Sequence, residues 1–60
     1  MTSKQAIERS ASHNEIVTLD FDADLIFELT ALCDDWIDTS FGVTEFWGPN
    51  WRVHIKNIEI

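Results

Sequence analysis

Cys33 is the only cysteine in 60 residues, so this chain has no internal disulfide to hold it together. A domain of that size buries only about 60% of the surface its unfolded chain exposes, and small domains often lean on disulfides, a metal or oligomerisation. His13, His54 and Cys33 are too few and too scattered for a tetrahedral zinc set, which needs closely spaced ligand pairs. The fold therefore has to come from apolar packing. An apolar fraction of 45% with three tryptophans supplies the material for a single domain spanning 1–60. A lone thiol suits a reducing compartment, and no apolar run nears the roughly 18 residues needed to cross a bilayer. The opening MTSKQAIERS lacks the apolar core of a secretory signal. The expectation is a cytoplasmic protein, a monomer or small homo-oligomer, with no membrane role.

Local signals divide the chain. Thr2-Ser-Lys-Gln5 has the spacing of a capping box, and Ala6, Ile7 and Ala11 give a short amphipathic helix to about Ala11. Ser12-His-Asn14 breaks it. From Glu15 to Phe21, Val17, Leu19 and Phe21 alternate with Ile16, Thr18 and Asp20, the period of a strand. Asp22 then suits the N-cap of a helix expected to run to about Asp38. At about 100° per residue, Leu25, Ile26, Leu29, Leu32, Cys33, Trp36 and Ile37 fill an arc of roughly 140°, a core-facing stripe. Asp24, Glu28, Asp34, Asp35 and Asp38 fill an arc of about 120° opposite, with Phe27 among them and Ala31 nearby.

Two further strands follow. Val43–Trp47 and Trp51–Lys56 flank Gly48-Pro49-Asn50, where Pro49 presets φ and Asn50 tolerates the left-handed region. This register pairs Phe46 with Val53 and Thr44 with Ile55 inside. Outside, it pairs Trp47 with Arg52, Glu45 with His54 and Val43 with Lys56, a stacked cation and a charge-matched couple among them. Asn57 interrupts the alternation, which reads as a bulge before Ile58 and Ile60. The expected fold is α+β in an α-β-α-β-β order, a three-stranded, mostly antiparallel sheet with the acidic helix packed on one face.

Charge is the strongest functional signal. The formal net charge is −7, and the stretch from Asp20 to Asp38 holds seven acids and no Lys or Arg. The other 41 residues carry four acids and four bases, so the whole imbalance sits in one 19-residue segment. Direct nucleic-acid binding is disfavoured because phosphate contacts need cations. A basic protein surface is the favoured partner, and acidic focusing speeds its encounter. Acids near a helix N-terminus are stabilising, whereas Asp34, Asp35 and Asp38 sit at the disfavoured end of the expected helix. A solvated surface normally mixes both signs. The candidate partner-binding residues are Asp20, Asp22, Asp24, Phe27, Glu28, Asp34, Asp35 and Asp38, with Phe27 placed as an apolar anchor in a charged rim.

Other chemistries find no support in the residues. Asp20, Asp22 and Asp24 match the start of a calcium loop, but Leu25 and Ala31 occupy the positions that need Gly and Glu. Cys33 lies in the apolar stripe, where a buried thiol is inert. No glycine-rich phosphate loop exists. No catalytic residue, metal or cofactor is expected. Carboxylates at helical turns, roughly 6 Å apart, match the spacing of phosphates along a nucleic-acid strand, and Asp24 to Asp38 would extend about 21 Å on a helix.

In size, acidity and helix-plus-hairpin layout, chiefly over Asp20–Asp38 with Phe46-Trp-Gly48 and Trp51-Arg-Val-His-Ile55, the chain resembles small anti-CRISPR proteins of phages and mobile elements that act on type I Cascade complexes. The likeness is one of overall character and carries no transferable motif. It implies a non-enzymatic DNA mimic that occupies the basic surface of a Cas subunit in a bacterial host cell. The alternative is an antitoxin-like or regulatory module that neutralises another basic protein. A third reading is a structural subunit whose Ile58–Ile60 edge adds a strand to a partner sheet, and Trp47 is a further candidate contact.

Overall fold

The computed structural model describes residues 1–39 and 41–57. Six elements follow one another: α1 (Ser3–His13), β1 (Ile16–Asp20), α2 (Ala23–Leu32), β2 (Asp35–Asp38), β3 (Val43–Trp47) and β4 (Arg52–Lys56). The strands form one mixed sheet in the order β1-β4-β3-β2. β1 runs parallel to β4, and the β4–β3 and β3–β2 pairings are antiparallel. The class is α+β as expected, with four strands in place of three.

The helix starts are where the sequence puts them. Thr2 Oγ1 accepts from the Gln5 N–H at 3.1 Å, and Gln5 Oε1 accepts from the Thr2 N–H at 2.9 Å, a complete capping box. α1 continues beyond Ala11 to His13, because Asn14 closes it in the left-handed region at φ 53°. Asp22 Oδ1 accepts from the Asp24 and Leu25 N–H groups at the head of α2.

The end of α2 differs from expectation. The helix stops at Leu32, and Cys33 leaves it with extended backbone at φ −81°, ψ 161°. Residues 35–38 form β2 instead, paired with β3 from Asp35 opposite Trp47 to Asp38 opposite Thr44. Three causes act together. Cys and Asp at 33–35 are weak helix formers, acids oppose the C-terminal dipole, and a neighbouring strand offers Trp36 and Ile37 a ladder. No helix end lies at Asp38, although Asp34 and Asp35 directly follow the C-cap Cys33 and stay beside the helix C-terminus. The apolar stripe is correspondingly shorter. Leu29 is fully buried and Leu25, Ile26 and Cys33 pack against the core, but Leu32, Trp36 and Ile37 are about half exposed.

The core lies on one face of the sheet. Val17, Phe46, Val53 and Ile55 are buried there with Ala6 from α1, Leu29 from α2 and Trp51. Leu19 joins them partly, while Phe21 falls beyond β1 and is exposed. Ser10, itself buried, binds α1 to the sheet: its hydroxyl reaches the Glu15 and Arg52 carbonyls and accepts from the Arg52 N–H at 2.8 Å.

The β3–β4 hairpin has the expected register at every pair, and the Gly48 N–H closes its turn on the Trp51 carbonyl at 3.0 Å. A Cβ at position 48 would collide with the Trp51 indole, which explains the glycine. Asn57 makes no bulge, since its N–H donates to the Gly42 carbonyl in continuing register. Arg52 turns to Glu45, Nε to Oε1 at 3.7 Å, where a stack on Trp47 was expected. The expected Ile58–Ile60 edge lies outside the described residues.

Candidate functional site

The segment from Asp22 to Asp38 forms two surfaces where the helical wheel gave one. On α2, Asp24, Phe27, Glu28 and Ala31 follow the i, i+3, i+4, i+7 spacing of a single stripe, and all four are exposed. Phe27 is 79% exposed while Leu29, two residues on, is fully buried, so the sequence assigned this aromatic to the solvent side correctly. Glu28 accepts a hydrogen bond from Ser3 Oγ at 2.6 Å, which fixes its carboxylate against the start of α1. A shallow recess of about 510 Å³ opens there between the helices, with Phe27, Ala31 and Leu32 on one wall and Ser3 and Lys4 on the other.

Asp34, Asp35 and Asp38 belong to the sheet edge. Asp34 sits at the bend before β2, where its N–H donates to the Trp47 carbonyl at 2.8 Å. Strand alternation then sends Asp35 and Ile37 to the open face of the sheet, and Trp36 and Asp38 to the helix-covered face. Trp36 lies over Phe46 with ring centroids 6.1 Å apart. Asp38 accepts from the buried Thr44 Oγ1 at 2.6 Å, and Thr44 in turn accepts from the Asn57 amide. The expected acidic ridge on one helix is therefore replaced by Asp22, Asp24 and Glu28 on α2 and Asp34, Asp35 and Asp38 along β2. Because Asp35 and Asp38 point to opposite faces, the three strand carboxylates share an edge and not a plane.

The cations are found elsewhere. Arg9 pairs with Glu15 at 3.5 Å, Lys56 with Asp20 at 3.7 Å, and Arg52 and His54 with Glu45 at 3.7 and 3.0 Å. The His54 Nε2 contact is close but lacks hydrogen-bond geometry. Asp20, with its side chain 95% exposed, is the one candidate acid with a cation within 4 Å among the described residues. Among the described residues, no cationic side chain lies within 4 Å of the carboxylates of Asp22, Asp24, Glu28, Asp34, Asp35 or Asp38. The imbalance read from the sequence survives folding.

The sequence missed Trp36 and Ile37 as surface residues by counting them into the helical core. No local signal would have found them: Asp35-Trp-Ile-Asp38 does not alternate, and both apolar residues fit the helical period of α2. The chemistry otherwise on the surface is sparse. No three His, Cys, Asp or Glu side chains among the described residues come together as a metal set. Burial, and more weakly the charges of Asp35 and Asp34, push the Cys33 thiol up from its ordinary value against a backbone hydrogen bond that pulls it down. A thiol so shifted is a poor nucleophile at neutral pH. No described helix is long and apolar enough to cross a membrane. The chain matches no protein-family model, no curated protein and no solved structure.

Proposed function

We propose that this protein is a non-enzymatic binding module that presents the carboxylates of α2 and β2 to a basic protein surface. One observation supports the reading above others: every ion pair among the described residues lies at Glu15, Asp20 or Glu45, leaving the six acids between Asp22 and Asp38 without a cation. An uncompensated field of this kind attracts a cationic partner and steers its approach. Phe27, exposed between Asp24 and Glu28, supplies apolar contact once the charges have aligned the pair.

The narrower form of the proposal is an anti-CRISPR inhibitor of a type I Cascade complex, active in the bacterial cytoplasm and competing with DNA for a Cas subunit. It rests on the resemblance in size, acidity and layout. With the helix ending at Leu32, phosphate mimicry has to be shared between α2 and the β2 edge, in place of one straight helical row. The test is a duplex-binding assay on purified Cascade. The protein should block DNA binding, lose to excess target DNA and weaken as salt rises. No effect on Cascade rejects this narrower form. Failure to retain any salt-sensitive basic partner from bacterial lysate overturns the binding-module reading itself.

A further inference from the structure

β2 terminates the sheet, all four of its residues are exposed, and among the described residues only β3 pairs with it. The Thr39 N–H donates to the Val43 carbonyl at 2.9 Å, which marks 39 and 43 as a hydrogen-bonded pair. Such pairs alternate along an antiparallel ladder, so Ile37 and Asp35 also face β3. Trp36 and Asp38 therefore direct their N–H and C=O groups to the free edge. One of these groups is answered locally: the Trp36 N–H donates to Asp35 Oδ1 at 2.8 Å.

We infer that this edge receives an extended basic segment of a partner protein as a fifth, antiparallel strand, and that Asp35 acts as a latch that selects for it. The inference rests on the reading above that the partner is cationic, and it adds where and how that partner sits. Backbone groups at an open edge bind any strand, and natural edges are guarded against that. Here the guard is charge. A second copy of β2 would bring Asp34, Asp35 and Asp38 of both chains, six carboxylates and no cation, onto one two-stranded ribbon. In the register centred on Trp36, Asp34 would face Asp38 directly, and like charges opposite each other destabilise a pair.

A strand carrying Lys or Arg opposite Asp35 and Asp38 reverses that sign. Its cation also draws the Asp35 carboxylate away from the Trp36 N–H, which frees the amide for the ladder. Apolar side chains opposite Trp36 and Ile37, both about half exposed, cover the remainder of the edge. The same carboxylate thus closes the edge to neutral and acidic strands and opens it to basic ones.

The probe is the hexapeptide Thr-Lys-Ile-Val-Arg-Thr, capped at both ends, titrated into isotopically labelled protein and followed by amide chemical shifts. Antiparallel docking sets Lys opposite Asp38, Ile opposite Ile37, Val opposite Trp36 and Arg opposite Asp35. Shifts should saturate and centre on Trp36 to Asp38. N-methylation of the Val, whose N–H meets the edge, should abolish binding, while N-methylation of the Ile, whose N–H points away, should leave it within about twofold. The peptide with Thr in place of Lys and Arg should not bind wild-type protein but should bind Asp35→Ala, and the acidic peptide with Asp at both positions should bind neither, because Asp38 still opposes it. Equal effects of the two N-methyl groups, or equal binding of the acidic peptide to wild type, overturn the inference. So does a concentration-dependent wild-type dimer through β2 in sedimentation. Salt-sensitive shifts confined to α2 also overturn it while leaving the basic-partner reading intact. No salt-sensitive binding of any cationic peptide overturns both.

Discussion

The two edges of the sheet carry similar acids and treat them in opposite ways. At the β1 edge, Asp20 meets Lys56, and Glu15, just ahead of the strand, meets Arg9. Val17 is buried, and α1 is tied down beside it through Ser10. At the β2 edge every residue is exposed, and among the described residues the carboxylates find only hydroxyl or backbone donors, Thr44 for Asp38 and the Trp36 N–H for Asp35. The acids from Asp22 to Asp38 thus stay without a cation among the described residues, and Asp35 and Asp38 lie on one of the sheet's two edge strands. Charge that the fold offsets on one edge and leaves bare on the other is available to the proposed basic partner.

The sharpest way to break the comparison is to detach the charged side. Leu29→Ala removes the only fully buried side chain of α2 and should cost about 2–5 kcal/mol in urea denaturation, enough to unfold a domain this small. Ser10→Ala attacks the neutral side instead. It strands the Arg52 N–H that the hydroxyl satisfies and should cost about 1–3 kcal/mol with the charged side left intact.

Phe27→Ala sharpens the contrast from the opposite direction. Its stability should change by less than about 0.5 kcal/mol while binding to the basic partner weakens, since the ring is 79% exposed. A loss of several kcal/mol would place Phe27 in the core. Replacing Asp34, Asp35 and Asp38 together with Asn keeps the acceptors for Thr44 and Trp36 but removes three charges. Thermal stability should rise by a few tenths of a kcal/mol, and partner affinity should lose part of its salt dependence.

The smallest effect is a direct reading of the local field. Cys33 has its thiol pushed up in the folded state, so the unfolded thiol ionises first as pH rises. The stability it contributes is present below the ordinary thiol value and declines as pH climbs from there through the folded value. Cys33→Ala should flatten that alkaline decline in pH-dependent melts. The Asp34 and Asp35 substitutions should bring the thiol down and quicken its alkylation at fixed pH, because both carboxylates contribute to the shift.

Much of this molecule is written in short-range sequence. Thr2 with Gln5, Asp22, and the Gly48-Pro49-Asn50 turn each act within a few residues, and the helix starts and hairpin register follow from them. What escaped was decided at longer range or by coincidence. Trp36 and Ile37 continue the 3.6-residue period of α2, so only pairing with β3 turns them into a strand. The parallel ladder from Ile16–Arg52 to Asp20–Lys56 joins segments from opposite ends of the chain and leaves no turn to announce it. The candidate acids were all legible as a cluster. Their division between helix and edge, and the contact of Asp20 with Lys56, depend on those same pairings.

The position of β4 has a kinetic consequence. It lies in the interior of the sheet between β1 and β3, yet follows every other element in the chain. β1 has no ladder partner until residues 52–56 have left the ribosome, and a nascent chain must carry its acidic segment with the sheet still unassembled. Ordering then comes in one late cooperative step, at the slower rates typical of distant strand pairing, and truncation before Arg52 should yield no partly folded half.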